Sequence, residues 1–500
     1  MTDIKAEYDY IVVGGGAAGS IVAAKAAEAG YAVLLLELGE AVSPTNERVW
    51  NPTQWNHVLA DPTFEIGQKS TLQKNLGNRP RDLLQSRGLG GCQIHNAMVY
   101  VRGGAATYNH WQTALGCTGW DWKSLLPHFT DIESRMVLTA KADDFSDSLI
   151  EAASRLGYGF NTDYNNGDAY GAVRFQFTQR VDPNLGLRRT TAYQTYIGQA
   201  DLPTLTVATG ATVRRLLFEA AGCVGVEFVI GAETPRSVRA RREVVLSAGA
   251  IFSPAILLRS GIGPADHLKA CGIPLVQHLP QVGQNFHDDL GCGIFVPALF
   301  ELPATPYGFL AAGIFASDPA GPPAGEFGGT NLELQISTSN MGGPLHSRNL
   351  SFAVIGASAM HLASRGSVSL NPDNPWAEVF VDPNWLSAPG DMERCVAALD
   401  LAYNVAAEPS FAERWGLITF PFIPPHTWIR WTGQTVQHYV GSCAMGADPA
   451  TSVVDPDLRV HGVPGLRVID ASVAPTTVTG NTAGVAMVIG AMGAARLLAS

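Results

Sequence analysis

The 500-residue chain predicts an α/β fold, α+β overall, in which a second unit is inserted into the first. Three observations carry that expectation. A β-branched run at 8–13 stops on three glycines and passes through a small-residue helical stretch into a second apolar run, which makes a βαβ unit and hence a parallel sheet. Strand-like runs return after residue 205. Between about 291 and 430 the texture changes to Pro- and Gly-rich loops.

Taken in order, the spacing predicts a strand over 8–13, a helix over 17–30 and a buried strand over 31–37. Further strands are expected at 205–209, 223–229 and 242–249, the last leading into a helix at 253–260. A short strand at 466–470 ends in an acid. Within the inserted unit, 331–337 and 350–356 read as strands. The apolar stretch 483–495 is too short and glycine-rich to span a bilayer, which takes ~20 apolar residues; it reads as a buried core helix.

Composition narrows the function classes. Charged residues make up 15% of the chain, against about 25% in an average soluble protein, and the apolar set reaches 46%, which excludes disorder. The balance of 33 basic and 44 acidic residues gives a net charge of −11 with no basic stripe, so nucleic acid is not an expected partner. No basic-then-apolar leader pattern opens the sequence. Seven scattered cysteines form no CxxC pair, so neither a disulfide framework nor a metal site is expected. A cytoplasmic protein without a membrane partner is the expectation.

Gly14-Gly15-Gly16-Ala17-Ala18-Gly19 fits GxGxxG between a strand and a helix, where glycines let the backbone and helix N-terminus approach a pyrophosphate. Glu37, 23 positions after Gly14, stands where an acid can accept from adenosine ribose hydroxyls. The turn by itself does not choose between NAD and FAD.

Longer motifs do. Gly249-Ala250-Ile251-Phe252-Ser253-Pro254 with Gly261-Ile262-Gly263, Pro280-Gln281-Val282-Gly283-Gln284-Asn285, and Asp455-Pro456-Asp457 with Asp470-Ala471-Ser472 together resemble the glucose–methanol–choline (GMC) family of FAD-dependent alcohol oxidoreductases over nearly the whole chain. The resemblance implies a Rossmann-like FAD-binding domain (1–150, 186–290 and 431–500) interleaved with an antiparallel-sheet substrate domain (151–185 and 291–430). It places Val213 near the adenine and Asp470 with Ala471 near the ribityl chain, and carries Asn481 and Thr482 to the flavin. Gly90-Gly91-Cys92-Gln93-Ile94-His95-Asn96-Ala97 corresponds to the family's loop beside the isoalloxazine, with Cys92-Gln93 replacing the usual Ser-Ser. Gly91, His95, Asn96 and Ala97 are thereby cofactor residues. The pattern Gly-Gly-Cys-x-x-His-Asn is similar to that of choline-oxidising members with a histidyl-linked flavin; His95 either bonds the flavin 8α-methyl or only packs beside it.

Oxidising an alcohol needs a group that takes the hydroxyl proton as hydride leaves carbon, a task suited to histidine. His438-Tyr439-Val440-Gly441-Ser442-Cys443-Ala444-Met445-Gly446 resembles HxxGTCxMG, whose histidine is the catalytic base. The family's second His or Asn aligns with Ala483, which can neither donate nor accept. Either His438 acts without that partner, or Asn481, Tyr439 or Gln437 fills the gap. One branch of the family, acting on pyridoxine, has proline there, which points to a small heteroaromatic alcohol. His287-Asp288-Asp289 reads as structural, since adjacent residues on an extended chain point apart. Arg188 and Arg189 read as scaffold, and the aromatics Tyr307, Phe309, Phe315 and Phe327 as core or pocket wall. The expected activity is oxidation of a primary alcohol, small and cyclic or aromatic, to the aldehyde, with electrons passed to O2 or another acceptor. The alternative is a hydroxynitrile lyase or other non-redox FAD-containing member.

Overall fold

Strand Glu7–Val13 lies mid-sheet, with Tyr8 and Tyr10 through Val13 almost fully buried. It pairs in parallel with Val33–Leu36 on one side and with Arg236–Leu246 on the other, and Leu205–Ala208 extends the sheet beyond Val33–Leu36. Every residue of Val33–Leu36 is buried, as expected of a parallel strand covered on both faces. The long strand Arg236–Leu246 serves further partners along its length. Its start pairs antiparallel with Gly222–Ile230, itself paired with Ala211–Glu219, while Val244–Leu246 pair in parallel with Leu466–Val468. The computed structural model describes residues 4–59, 61–304, 306–309, 311–318, 329–338, 351–377, 379–419 and 424–499.

Register explains why distant motifs meet. Val13 stands opposite both Leu36 and Leu246, and Leu246 opposite Val468. The next residues, Gly14, Glu37 and Ser247, and Asp470 one residue further on, therefore emerge together at the carboxyl edge of the sheet, where open α/β sheets take their ligands. Two helices cover this edge. Ala17–Glu28 buries nine residues and packs against Ala483–Leu498, where a Cβ on Gly490 would come within 2.7 Å of Ala18 Cα. The second helix is a core element, as its sequence predicts.

The helix expected at 253–260 instead runs Gly249–Arg259. Its start is fixed by Asp470, whose Oδ2 accepts from the Gly249 N–H at 2.9 Å. Pro254 lies inside it and cannot donate to the carbonyl of Ala250; the Ser442 hydroxyl donates there instead, at 2.5 Å. The extra turn thus depends on two motifs more than 190 residues downstream.

A second sheet runs in the order Gln434–Thr435, Leu290–Gly291, Ser351–Ala359, Leu332–Thr338, Ala312–Ala316, Gly171–Arg174, Phe160–Asn161, with Ile294–Ala298 also on Ser351–Ala359. All its pairings are antiparallel except the last along this path. Helix Asp391–Ala407 packs on it. In Leu332–Thr338 the apolar Leu332, Leu334 and Ile336 alternate with Glu333, Gln335 and Ser337, so the strand has one oily face and one polar face. The fold is mixed α/β, with one sheet built around parallel strands and one antiparallel.

Candidate functional site

A cavity of about 750 Å³ lies between the carboxyl edge of the first sheet and the polar face of Leu332–Thr338. Gly14, Gly16, Ala17, Ala18 and Glu37 line one part of it. Gly14 has φ +106°, and a Cβ there would sit 2.4 Å from Ser247 O, so no side chain fits the turn. Helix Ala17–Glu28 opens on the cavity with Gly16 at its N-cap, no side-chain cap and no acid in its first turn. Its leading N–H groups suit an anion. Gly19, expected at the cofactor, is not on the wall. It packs behind the turn, where a Cβ would lie 2.0 Å from Gly14 O, and its role is close packing of helix on strand.

Glu37 is buried, and both oxygens are committed to backbone: Oε2 accepts from Gly15 at 2.7 Å, Oε1 from Gly39 and Gly88 at 2.9 Å each. Burial pushes its carboxyl up, partly offset by these donors. Asp470 behaves alike, with Oδ2 accepting from Gly249 and from Ser253 Oγ at 2.6 Å and Oδ1 from Ser472 at 2.8 Å. Both carboxylates tie converging chain segments together at the cavity. Val213 and Ala471 also line it.

Gly91, His95, Asn96 and Ala97 come onto the wall through a short 3-10 turn, Gly91–Ile94. Arg189, fully buried, grips this turn by donating to the carbonyls of Gln93 and Asn96 at 2.8 Å and to Asn96 Oδ1 at 2.6 Å. Arg188 pairs with Glu47 at 2.6 and 2.8 Å; neither arginine reaches the cavity. Gln93, at a departure from the family loop, accepts from Ala192 N at 2.9 Å. His95 is buried with Nδ1 3.7 Å from Glu65 Oε2. Burial pushes its imidazole down to about 3, so it is neutral at physiological pH.

Asn481, Thr482, Ala483, Gln437, His438 and Tyr439 form a further stretch of wall. The backbone N–H of His438 donates to Asp288 Oδ1 at 2.9 Å, and its Nδ1 lies 3.0 Å from Asp289 Oδ2. Asp289 carries no exposed surface and also accepts from the His361 N–H at 2.9 Å. On the other side, Asn481 Nδ2 lies 3.3 Å from His438 Nε2. Gln335 Nε2 donates to Asn481 Oδ1 at 3.1 Å and to Glu333 Oε1 at 2.7 Å, which orients the Asn481 amide with its nitrogen toward the imidazole. Nδ1 therefore carries the proton and Nε2 accepts. Burial alone would depress the His438 imidazole, but the hydrogen bond and charge of Asp289, with the charges of Glu333 and Asp288, carry it above its usual value. Burial pushes Asp288 itself up to about 8.

Of the groups weighed for the gap at Ala483, Asn481 is the one bonded to the imidazole. Sequence reasoning missed Asp289, Glu333 and Gln335. The structural reading of His287-Asp288-Asp289 is corrected for Asp289: His287 turns to Asn285 at 2.9 Å while Asp289 meets His438. The polar positions inside an apolar strand at 331–337 were the available signal for Glu333 and Gln335. Phe309 lines the cavity beside Trp55; Tyr307 stacks on Phe177 and Phe315 on Tyr164, both in the core. Phe327 lies outside the described residues. Among the described residues no group of three His, Cys, Asp or Glu side chains could hold a metal, and no helix is long and apolar enough to cross a membrane.

A glycine turn on an uncapped helix, facing a buried histidine across one cavity, is the arrangement of a dinucleotide-binding enzyme. Family models for GMC oxidoreductase match residues 8–291 (N-terminal) and 363–490 (C-terminal), and the chain belongs to that family. The oxygen-dependent choline dehydrogenase of Ectopseudomonas mendocina is 33% identical, with 95% of this chain and 91% of the relative covered; that of Stenotrophomonas maltophilia is also 33% identical, with 95% and 92% covered. Among solved structures, pyridoxine 4-oxidase from Mesorbium loti superposes with a TM-score of 0.87 at 27% identity, covering 98% and 99% of the two chains. A formate oxidase variant of Aspergillus oryzae, at 20% identity and a TM-score of 0.88 over 99% of both chains, shares the fold. The chain is thus an FAD-dependent enzyme of the class that acts on CH–OH groups.

Proposed function

We propose that the protein oxidises a small primary alcohol, cyclic or aromatic, to its aldehyde, with His438 as the base. The observation that carries this reading is the imidazole held from both sides, its Nδ1–H given to a fully buried Asp289 and its Nε2 left to accept at the cavity wall. The 3.3 Å contact from Asn481 is at the long end for such a bond. An alcohol hydroxyl can take its place, donating to Nε2 while its oxygen accepts from Asn481 Nδ2. His438 then removes the proton, and Asp289 stabilises the imidazolium through Nδ1–H, the role of the acid in a Ser-His-Asp triad. The choline dehydrogenase and pyridoxine oxidase relatives support an alcohol substrate.

Bound FAD would supply the acceptor for the hydride that leaves the alcohol carbon. The residues fit it: the N-termini of Ala17–Glu28 and Ala483–Leu498 both open on the cavity without a side-chain cap, the first suited to the pyrophosphate. Gly14, Gly16, Ala17, Ala18 and Glu37 would hold the adenosine diphosphate part with Val213 at the adenine. Asp470 and Ala471 would hold the ribityl chain, and Gly91, His95, Asn96, Ala97, Asn481 and Thr482 the ring system. A neutral, cavity-facing His95 is in the form that can bond the flavin 8α-methyl. We assign 1–150, 186–290 and 431–500 to the FAD unit and 151–185 and 291–430 to the substrate unit, with Leu290–Gly291 and Gln434–Thr435 pairing across into the second sheet at their seam. Seven free cysteines agree with a cytoplasmic location.

The test is anaerobic: a panel of primary alcohols added to the flavoprotein should bleach its visible absorbance. No bleaching by any of them would overturn the reading. Oxygen uptake, repeated with an artificial dye, then separates oxidase from dehydrogenase.

A further inference from the structure

His95 and Glu65 each carry a buried side-chain atom without a hydrogen-bond partner among the described residues. The two atoms, the imidazole Nδ1 and the carboxylate Oε2, lie 3.7 Å apart. An orphaned polar atom out of water is costly, and these two are complementary: a shift of about 0.7 Å brings them into hydrogen-bond range. Nδ1 carries the ring proton, since a lone pair turned to a carboxylate oxygen would be repelled. His95 lines the cavity and Glu65 does not, so the carboxylate stands behind the ring. Glu65 Oε1 is already spent on backbone, accepting from Gly67 at 3.0 Å and Gln85 at 3.1 Å, which fixes the place of Oε2.

Burial, with the charge of Arg189, pushes the His95 imidazole down to about 3, so a cation on this ring is opposed. A bond from Nε2 to carbon would create that cation if the Nδ1 proton stayed. Burial pushes the Glu65 carboxyl up, which makes it a better proton acceptor. Resting on the reading that His95 bonds the flavin 8α-methyl carbon, we infer that Glu65 is the proton acceptor for that attachment, receiving the Nδ1 proton as Nε2 bonds. Nε2 gives its lone pair to the 8α carbon, whose C–H proton leaves to water and whose C–H electron pair passes into the flavin. Dioxygen then takes those two electrons with two protons as hydrogen peroxide, which returns the linked flavin to its oxidised form. One C–H and one N–H bond are thus exchanged for one C–N bond. No alcohol enters this step, so attachment and turnover are separable.

The test follows attachment itself. FAD is added to protein expressed under riboflavin limitation, samples are precipitated with acid, and flavin in the pellet is compared with flavin in the supernatant. The near-UV flavin band, which substitution at 8α shifts, gives the same rate in the native protein. Wild type should end with flavin in the pellet, and His95→Ala with none. Glu65→Gln keeps the Oε1 acceptor but presents an N–H to Nδ1, which moves the ring proton to Nε2 and removes its lone pair. It should bind FAD yet attach it at least ~100-fold more slowly. Glu65→Asp keeps a carboxylate and should recover part of the rate; if Glu65→Gln holds no FAD, Glu65→Asp decides. Attachment in Glu65→Gln at the wild-type rate, or FAD that Glu65→Asp binds and never attaches, overturns the role of Glu65 and leaves attachment to His95 standing. Wild-type flavin wholly in the supernatant overturns attachment and the role of Glu65 with it, while anaerobic bleaching decides alcohol oxidation separately.

Discussion

The two ends of the cavity treat their buried carboxylates differently. At the glycine turn, Glu37 and Asp470 each accept three hydrogen bonds from nearby backbone and hydroxyl donors. Around His438, Glu333 Oε2 has no hydrogen-bond partner among the described residues, and Asp289 spends one oxygen on the imidazole. The first arrangement is satisfied within the protein and fixes the shape of the turn. In the function we propose, the second would meet the charge that appears on the imidazole during proton transfer. One end is built to hold; the other is built to respond.

That contrast predicts which substitutions damage chemistry and which damage assembly. The largest effect should come from His438→Ala. Loss of a general base typically lowers rate by ~10²–10⁴-fold, and here the anaerobic reduction rate should fall toward the upper end while flavin content stays unchanged. Loss of flavin together with rate would place His438 among the holding residues and break the comparison.

At the glycine turn the damage should appear as assembly. Gly19→Ala puts a Cβ 2.0 Å from Gly14 O and 2.9 Å from Ser247 Cβ, both parts of the rigid strand–turn–helix junction. Overpacking of this kind costs about 1–3 kcal/mol or more. The variant should purify with substoichiometric FAD and a lowered melting temperature, yet the flavin-loaded fraction should turn over at the wild-type rate. A reduced rate per bound flavin would show that the turn also tunes the chemistry.

Asp289→Asn separates geometry from charge at the responsive end. The amide can still accept from Nδ1–H, but the charge that lifts the imidazole is gone. His438 must be neutral to act as base, so wild-type kcat/KM should rise with pH through its raised pKa and level off above it. In Asp289→Asn the rising limb should move to lower pH, because burial then dominates, and the plateau should fall by ~10²-fold as the imidazolium loses its counter-charge. An unmoved limb would mean that Asp289 only positions the ring.

The same contrast governs what could be read from sequence. The turn and its helix are contiguous, with residue types at fixed short spacing, so that Gly14, Gly16 and Glu37 come together at one place was legible, and all three line the cavity. Gly19 carries the motif but lies off the cavity wall, against Gly14, because a consensus records the need for glycine without saying whether ligand or backbone demands it. Asp289, Glu333 and Gln335 were not legible because only strand pairing brings them to His438. Leu290 and Leu332 both pair with Ala359, so the strand carrying Glu333 and the residue after Asp289 meet across one neighbour, a relation with no trace in local spacing. The shift of the helix from 253 back to Gly249 has the same origin, since its first turn is held by Asp470 and Ser442.

Asn481 offers the finest division of the two ends, since it bridges them: it precedes helix Ala483–Leu498 and touches the base. If it supplies only the donor that Ala483 lacks, then Asn481→Ala should cost one hydrogen bond to the substrate oxygen, about 1–1.5 kcal/mol, or ~10-fold in kcat/KM. The pH limb should stay where Asp289 sets it, because an amide contributes no charge. Flavin content should also hold, the helix N-terminus being already without a side-chain cap. A tenfold loss with a fixed pH profile would make Asn481 the neutral partner of a base whose basicity is set from the opposite face of the ring. A displaced profile would instead mean that the amide chain to Glu333 transmits charge to His438, and the two carboxylates would then have to be treated as one coupled system.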